Sequence, residues 1–236
     1  MLLAMKGKPE KEKQYFRVVE KFVSINGEGE SNGFLSTFIR FYGCNLRCSY
    51  CDTKYSYEID SPHLYDGMTA EEILQYCKST GIKRVTLTGG EPLIQKGIKD
   101  LIAMLGVNGF RVEIETNGSI PIKVFARMIV RPVLTLDYKT ASSGCEAANI
   151  TEDNYKYLMP CDSVKFVVGS RDDMEKMLNV VGENRLTSKC HVLVSPILGS
   201  IDPVEIVDFL KEHEENDIRM QLQLHKYIWN PQKRGV

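Results

Sequence analysis

The chain has 236 residues, 43% of them hydrophobic, which is enough for one well-buried domain. Lys and Arg number 30 against 31 Asp and Glu, so a net charge of −1 gives no global field to attract nucleic acid or an anionic membrane. No apolar run approaches the roughly 18–20 residues of a membrane span.

The opening MLLAMKGKPEKEK reaches its charges too early for a secretory signal. The expected location is therefore cytoplasmic, where seven cysteines point to metal or redox chemistry or to buried thiols, not to a disulfide framework. Residues 1–14 read as a solvated, mobile amino-terminal extension and 15–236 as a single domain. Strands are expected at 16–24, 37–42, 85–88, 112–115, 133–137, 163–168, 191–195 and 220–224. Helices are expected between them at 69–80, 96–107, 122–128, 172–180 and 203–215. Thr69 with Glu72 forms a capping-box pattern, and Asp202 before Pro203 reads as an N-cap with proline at the first helical position. Strands separated by helices of this length imply parallel βαβ units.

Polar or glycine-rich sequence follows nearly every strand: the segment around Cys44, then TGGEP, ETNGS, DYKTASSG, VVGS, SPILGS and QLHK. In a β/α barrel these positions share the carboxyl-terminal mouth, where chemistry is placed. Cys44, Cys48 and Cys51 have the spacing C-x3-C-x2-C. Three thiolates on one tight loop can hold three irons of a cubane and leave the fourth iron open to a substrate. The competing readings are a zinc knuckle and incidental thiols. Structural zinc wants four protein ligands, and the nearest further candidate, His63, follows a turn-rich stretch. Cys77 and Cys190 read as buried thiols, Cys145 as an exposed loop cysteine, and Cys161 shows no ligand spacing.

About 40 residues downstream, Thr86-Leu-Thr-Gly-Gly-Glu-Pro92 ends a strand and opens a helix. Its two glycines permit close backbone approach to a ligand, and Glu91 can pair with an ammonium group. Together the two motifs resemble the radical S-adenosylmethionine (SAM) superfamily. That resemblance implies an α/β fold, a partial (incomplete) TIM-like β/α barrel with mostly parallel strands. It implies a [4Fe–4S] cluster on Cys44, Cys48 and Cys51, and SAM gripped by Gly90 and Glu91 with Tyr50 against its adenine. Asn117, the stretch Asp137, Tyr138 and Lys139, and Lys165 would offer further SAM contacts.

A narrower resemblance, to the family of 7-carboxy-7-deazaguanine synthases, runs from Val23 to Val236. It rests on SINGEG (24–29), TFIR (37–40), CDT (51–53), LTGGEP (87–92), ETNG (115–118), DYK (137–139) and QLHK (223–226). The resemblance implies a radical SAM carbon–nitrogen lyase that contracts 6-carboxy-5,6,7,8-tetrahydropterin to 7-carboxy-7-deazaguanine, losing ammonia, in queuosine and deazapurine biosynthesis. Cleavage of SAM would give a 5′-deoxyadenosyl radical that abstracts hydrogen from the pterin C6. Thr53 would ligate Mg²⁺ with substrate oxygens. Arg40 suits the substrate carboxylate through its planar fork, and otherwise makes a surface ion pair. Ile25, Asn26 and Gly27 would offer backbone donors and acceptors to the ring. Glu28 would accept from ring N–H groups, Thr88 would hydrogen-bond substrate or cap a turn, and His225 and the carboxylate of Val236 would reach the pterin from a tail folded across the mouth. The implied partners are an electron donor such as flavodoxin or ferredoxin and a second copy in a homodimer. Two alternatives stay open at this point: a glycyl-radical-enzyme activating enzyme, and a non-catalytic iron–sulfur or zinc binding module.

Overall fold

A computed structural model describes residues 13–58, 65–230 and 233–236. Most of the amino-terminal extension and His63 lie outside the described residues. Among the described residues nine strands form one sheet in the order β3-β1-β2-β4-β5-β6-β7-β8-β9. They are β1 (Phe16–Ile25), β2 (Leu35–Phe41), β3 (Asp66–Met68), β4 (Arg84–Gly89), β5 (Arg111–Thr116), β6 (Val133–Tyr138), β7 (Ser163–Val168), β8 (His191–Pro196) and β9 (Ile218–Met220). From β2 to β9 every neighbour is parallel, while β1 and β3 extend the β2 side antiparallel. The sheet is open, with β3 and β9 at its edges. This is the partial barrel expected from the sequence.

The crossover helices are α1 (Ala70–Thr80), α2 (Ile98–Val107), α3 (Lys123–Ala126), α4 (Thr151–Asn154), α5 (Arg171–Asn184) and α6 (Pro203–Glu212); α7 (Leu224–Ile228) follows the last strand. The expected capping box forms at Thr69 with Glu72, and the expected N-cap Asp202 before Pro203 also makes a capping box with Glu205, so α1 and α6 begin where their sequences dictate. Strand alternation sends Ile39, Leu87, Ile114, Leu134, Phe166 and Val192 outward into a buried layer under the helices. Each such Leu or Ile contributes about 1.5–3 kcal/mol by leaving water. The intervening residues face the barrel interior.

Two expectations need correcting. The three-residue β3 was missed, because Asp66-Gly67-Met68 carries no β-branched pattern. The last strand stops at Met220 instead of 224. Beyond it, Gln221 exchanges two side-chain hydrogen bonds with the backbone of Gly29, at 3.1 and 2.9 Å, and Leu224 N–H donates to Gly27 carbonyl at 3.2 Å. The loop 26–34 thus joins the β9 end of the open barrel to the β1–β2 side.

Candidate active site

A cavity of about 840 Å³ opens at the carboxyl ends of the parallel strands. Five adjacent inward positions build its wall: Arg40 of β2, Thr88 of β4, Glu115 of β5, Asp137 of β6 and Lys165 of β7. Lys165 Nζ lies 3.1 Å from Asp137 Oδ1 and pairs with Glu28 on the loop after β1. Burial opposes the Lys165 charge, but Asp137, Glu28 and Glu115 outweigh it and hold the ammonium well above the usual lysine range. Burial likewise works against the Asp137 anion, yet Lys139, at 2.9 Å, and Lys165 keep its carboxyl below the usual range. Glu115 has no such excess of cations, and burial pushes it up.

The three motif cysteines sit on the loop leaving β2, half-buried and unbridged. Leu46 N–H and the Asn117 side-chain amide are directed at Cys44 Sγ, at 3.4 and 3.7 Å. Such donors stabilise a sulfur that carries negative charge, as a thiolate ligand of iron does. Without iron, burial pushes the Cys44 and Cys48 thiols up, Cys48 to about 12. Among the described residues no three His, Cys, Asp or Glu side chains converge on one ion. The loop after β6 clamps this segment: Ser49 N–H donates to Ser143 carbonyl at 3.0 Å and Ser49 hydroxyl to Ser142 carbonyl at 2.6 Å. Cys145, expected to be an exposed loop thiol, is half-buried near Cys48.

The glycine pair of TGGEP has a steric reason visible in the fold. A Cβ at Gly90 would lie 2.1 Å from Gly43 carbonyl oxygen, and one at Gly89, with φ of +141°, would lie 2.3 Å from that of Phe41. The two glycines therefore let the end of β4 lie directly on the cluster loop, and Gly90 still borders the cavity. Glu91 is fully buried and off the cavity wall. Its carboxylate accepts from Leu93 N–H, Thr116 hydroxyl and Asn117 N–H at 2.9, 2.8 and 2.7 Å, tying the ends of β4 and β5 together. Burial pushes this carboxyl up to about 7 in spite of those donors. The structure thus gives this carboxylate a scaffold role and keeps it off the cavity wall, where the expected grip on an ammonium group would need it.

The tail closes over the opposite side. Lys233, Arg234, Gly235 and Val236 line the cavity with His225, as expected of a segment folded across the mouth. Lys226 Nζ pairs with Asp52 of the Cys-Asp-Thr motif at 3.0 Å, and Gln223 bonds Glu28, so QLHK is anchored to both motif loops. Burial lowers the His225 pKa, leaving the ring neutral. Thr53 faces the cavity beside Cys51, its hydroxyl 3.7 Å from Cys51 Sγ. A hydroxyl there fits a hard cation completed by substrate oxygens and water.

Several expected site residues point elsewhere. Tyr138 follows Asp137 by one residue, so alternation turns it outward, buried against the Phe166 ring at 5.0 Å between centroids. Lys139 is buried beside Asp137 and does not border the cavity. Asn117 reaches the cavity, but its amide is spent on Cys44 and Asn45. Ile25 pairs with Leu35 within the sheet, Asn26 bonds Thr86 and Glu113 below the cavity at 3.2 and 3.1 Å, and the Gly27 carbonyl is taken by Leu224 and Asn32. None of these three lines the cavity. Tyr50 does, with a buried hydroxyl that has no partner among the described residues. Glu20, Tyr55, Glu115 and Gln223 on the wall were missed as functional residues; only the inward alternation of β1 and β5 could have marked Glu20 and Glu115.

The fold and this loop-and-cavity arrangement define a radical SAM protein, and the Radical SAM superfamily model matches residues 38–144. Membership carries the requirement for a [4Fe–4S] cluster and SAM, which the three thiols and the adjoining cavity accommodate. The 7-carboxy-7-deazaguanine synthase of Clostridium acetobutylicum is 50% identical over 222 residues, covering 94% of this chain and 99% of that one. That of Chlorobaculum tepidum is 33% identical over 93% of this chain and 96% of its own length. The chain belongs to the 7-carboxy-7-deazaguanine synthase family. QueE from Escherichia coli shares the fold, with a TM-score of 0.65 at 22% identity over 88% of this chain and 93% of that one.

Proposed function

We propose that this chain converts 6-carboxy-5,6,7,8-tetrahydropterin to 7-carboxy-7-deazaguanine with loss of ammonia, as a Mg²⁺-dependent radical SAM lyase of queuosine and deazapurine biosynthesis. The observation that carries the reading is one cavity touching Cys51, Thr53, Arg40 and the tail together. When bound, the cluster and SAM supply reductive cleavage of SAM and hydrogen abstraction from the pterin. The protein binds, orients and excludes water. Cys44, Cys48 and Cys51 hold the cluster, Gly90 and Tyr50 border the SAM side, and Thr53 offers its hydroxyl to Mg²⁺. Asp137, held ionised between two lysines, is the acceptor for SAM hydroxyl or ammonium groups. Arg40 takes the pterin carboxylate, while Thr88, Glu28, His225 and the tail around Val236 hold the ring. Lys165, held protonated, keeps a positive charge at the cavity wall beside Asp137 and Glu28.

An activating enzyme for a glycyl-radical protein needs room for a polypeptide, whereas here the tail lies across the mouth. A simple binding module leaves the charged wall without a purpose. Among the described residues no helix is long and apolar enough to cross a membrane. A cytoplasmic setting, with flavodoxin or ferredoxin as electron donor, is part of the proposal. A homodimer is proposed by family resemblance. The test is anaerobic incubation of reconstituted, reduced protein with SAM, Mg²⁺ and 6-carboxytetrahydropterin. Mass-spectrometric detection of 7-carboxy-7-deazaguanine supports the assignment; SAM cleavage without any deazapurine contradicts it.

A further inference from the structure

The cavity wall beside Thr53 carries a connected set of side chains in which Arg40 and the tail have a role in the functional reading, while Glu20 and Tyr55 have none. Arg40 Nε donates to Glu20 Oε2 at 3.1 Å, and the Tyr55 hydroxyl donates to the same oxygen at 2.9 Å. The Arg234 guanidinium lies over the Tyr55 ring, 3.8 Å from its centroid. All four residues line the cavity. They come from β2, β1, the turn Lys54–Ser56 directly after Thr53, and the tail.

The geometry at Arg40 is informative because a guanidinium has five N–H donors in a fixed fork. Glu20 engages Nε, and no hydrogen bond from either terminal nitrogen is found among the described residues. The end of the fork is therefore left for something else. Both side chains are about as enclosed as one another, 15% exposed for Arg40 and 16% for Glu20. A sheltered ion pair is weak evidence of stabilisation, since desolvation cancels much of its attraction. A pair that faces a cavity, with the arginine's end-on donors unspent, instead fixes the direction of those donors. Tyr55 restrains Glu20 through the oxygen it shares, and Arg234 packs the ring that carries this hydroxyl. Arg234 also brings a second positive charge to a wall where Glu20, Asp52 and Glu115 surround Arg40.

We propose that Glu20 and Tyr55 are positioning residues that aim the terminal nitrogens of Arg40 at the substrate carboxylate and so set the preference for a carboxylated over an uncarboxylated pterin. This rests on the pterin reading above. The shared Tyr55 links that preference to the tail, because Arg234 holds the same ring from the closing side.

The test uses reconstituted, SAM-loaded holoenzyme and two ligands titrated anaerobically, 6-carboxytetrahydropterin and tetrahydropterin lacking the carboxylate. Tyr55→Phe removes one oxygen and keeps the ring under Arg234; Glu20→Gln removes the charge and keeps the shape. Each variant is expected to bind the carboxylated pterin about tenfold more weakly. Binding of tetrahydropterin, SAM affinity and cluster absorbance should stay at wild-type values. Equal weakening of both pterins, or an unchanged preference for the carboxylate, overturns the proposal. Should Glu20→Gln fail to fold, Tyr55→Phe decides alone. Wild-type enzyme that binds neither pterin overturns the functional reading and this proposal with it, and is told apart because no variant is involved.

Discussion

The mouth and the floor of this barrel are built by the same strands two residues apart, yet they do different things. At the mouth the inward residues are Arg40, Thr88, Glu115, Asp137 and Lys165, and they surround a cavity. One inward step down the same strands are Phe38, Thr86, Glu113, Thr135 and Ser163, all buried. Their space is filled by the loop 26–34. Asn26 bonds Thr86 and Glu113, and Gly29, at φ of +76°, leaves only 2.7 Å between a built Cβ and the Glu113 carboxylate. Apart from Phe38 both layers are polar, so composition does not separate them. The difference lies in what the chain inserts: a backbone plug fills the lower layer, and the upper one surrounds a cavity.

The largest effect is expected at the mouth. Alanine at any one of Cys44, Cys48 and Cys51 should abolish the cluster's visible absorbance and all SAM cleavage, because two thiolates cannot hold a site-differentiated cubane. Retention of full iron and activity in such a variant would remove the assignment. Deletion of Lys233 to Val236 should come next. With part of the cavity wall gone, the pterin KM should rise by about tenfold or more, while cluster and SAM binding survive. Unchanged pterin kinetics would show that the tail only covers the barrel.

Thr53→Val should act more narrowly. The methyl keeps the volume and removes the oxygen, so cluster content should hold while the Mg²⁺ dependence of turnover weakens. Full wild-type activity after exhaustive removal of divalent cations would contradict the metal role.

The floor should respond in stability and not in chemistry. Burial raises the floor carboxyl of Glu113 to about 7, and likewise that of Glu91, which lies buried at the ends of β4 and β5. Both carboxyls are ordinary carboxylates near 4.5 when unfolded, so the folded state binds more protons between pH 4.5 and 7. Stability should therefore be greatest below the unfolded value and fall as pH rises to about 7, by up to about 3 kcal/mol per carboxyl. Glu113→Gln should remove roughly half of that decline, leaving kcat within about twofold. Chemical denaturation at several pH values measures it, and a pH profile identical to wild type would reject the buried-carboxylate account of the floor.

The mouth was more legible in the sequence than the floor, for reasons of range. The cysteine triplet and the glycine pair are local patterns, each readable within eight residues, and the strand ends that gather around them follow from βα alternation. The links that complete the site are not local. Lys165 meets Glu28 across 137 positions and Gln223 meets Glu28 across 195, and no periodicity joins such pairs. Tyr138 was misassigned because a motif was read as a block, whereas a strand sends its middle residue to the other face. Asn26 and Gly27 were read as a ligand loop for the same reason that made them conspicuous. A glycine-containing polar turn serves a plug as well as it serves a ligand, and only the partners Thr86, Glu113 and Leu224 distinguish the two.

The central claim is that one cavity places the pterin against SAM at the cluster. The most direct measurement follows hydrogen between them: turnover of 6-carboxytetrahydropterin deuterated at C6, with mass analysis of the 5′-deoxyadenosine and SAM recovered. The account predicts deuterium in the 5′-deoxyadenosyl moiety, formed only when the pterin is present. Deazapurine formation with 5′-deoxyadenosine free of deuterium would contradict it.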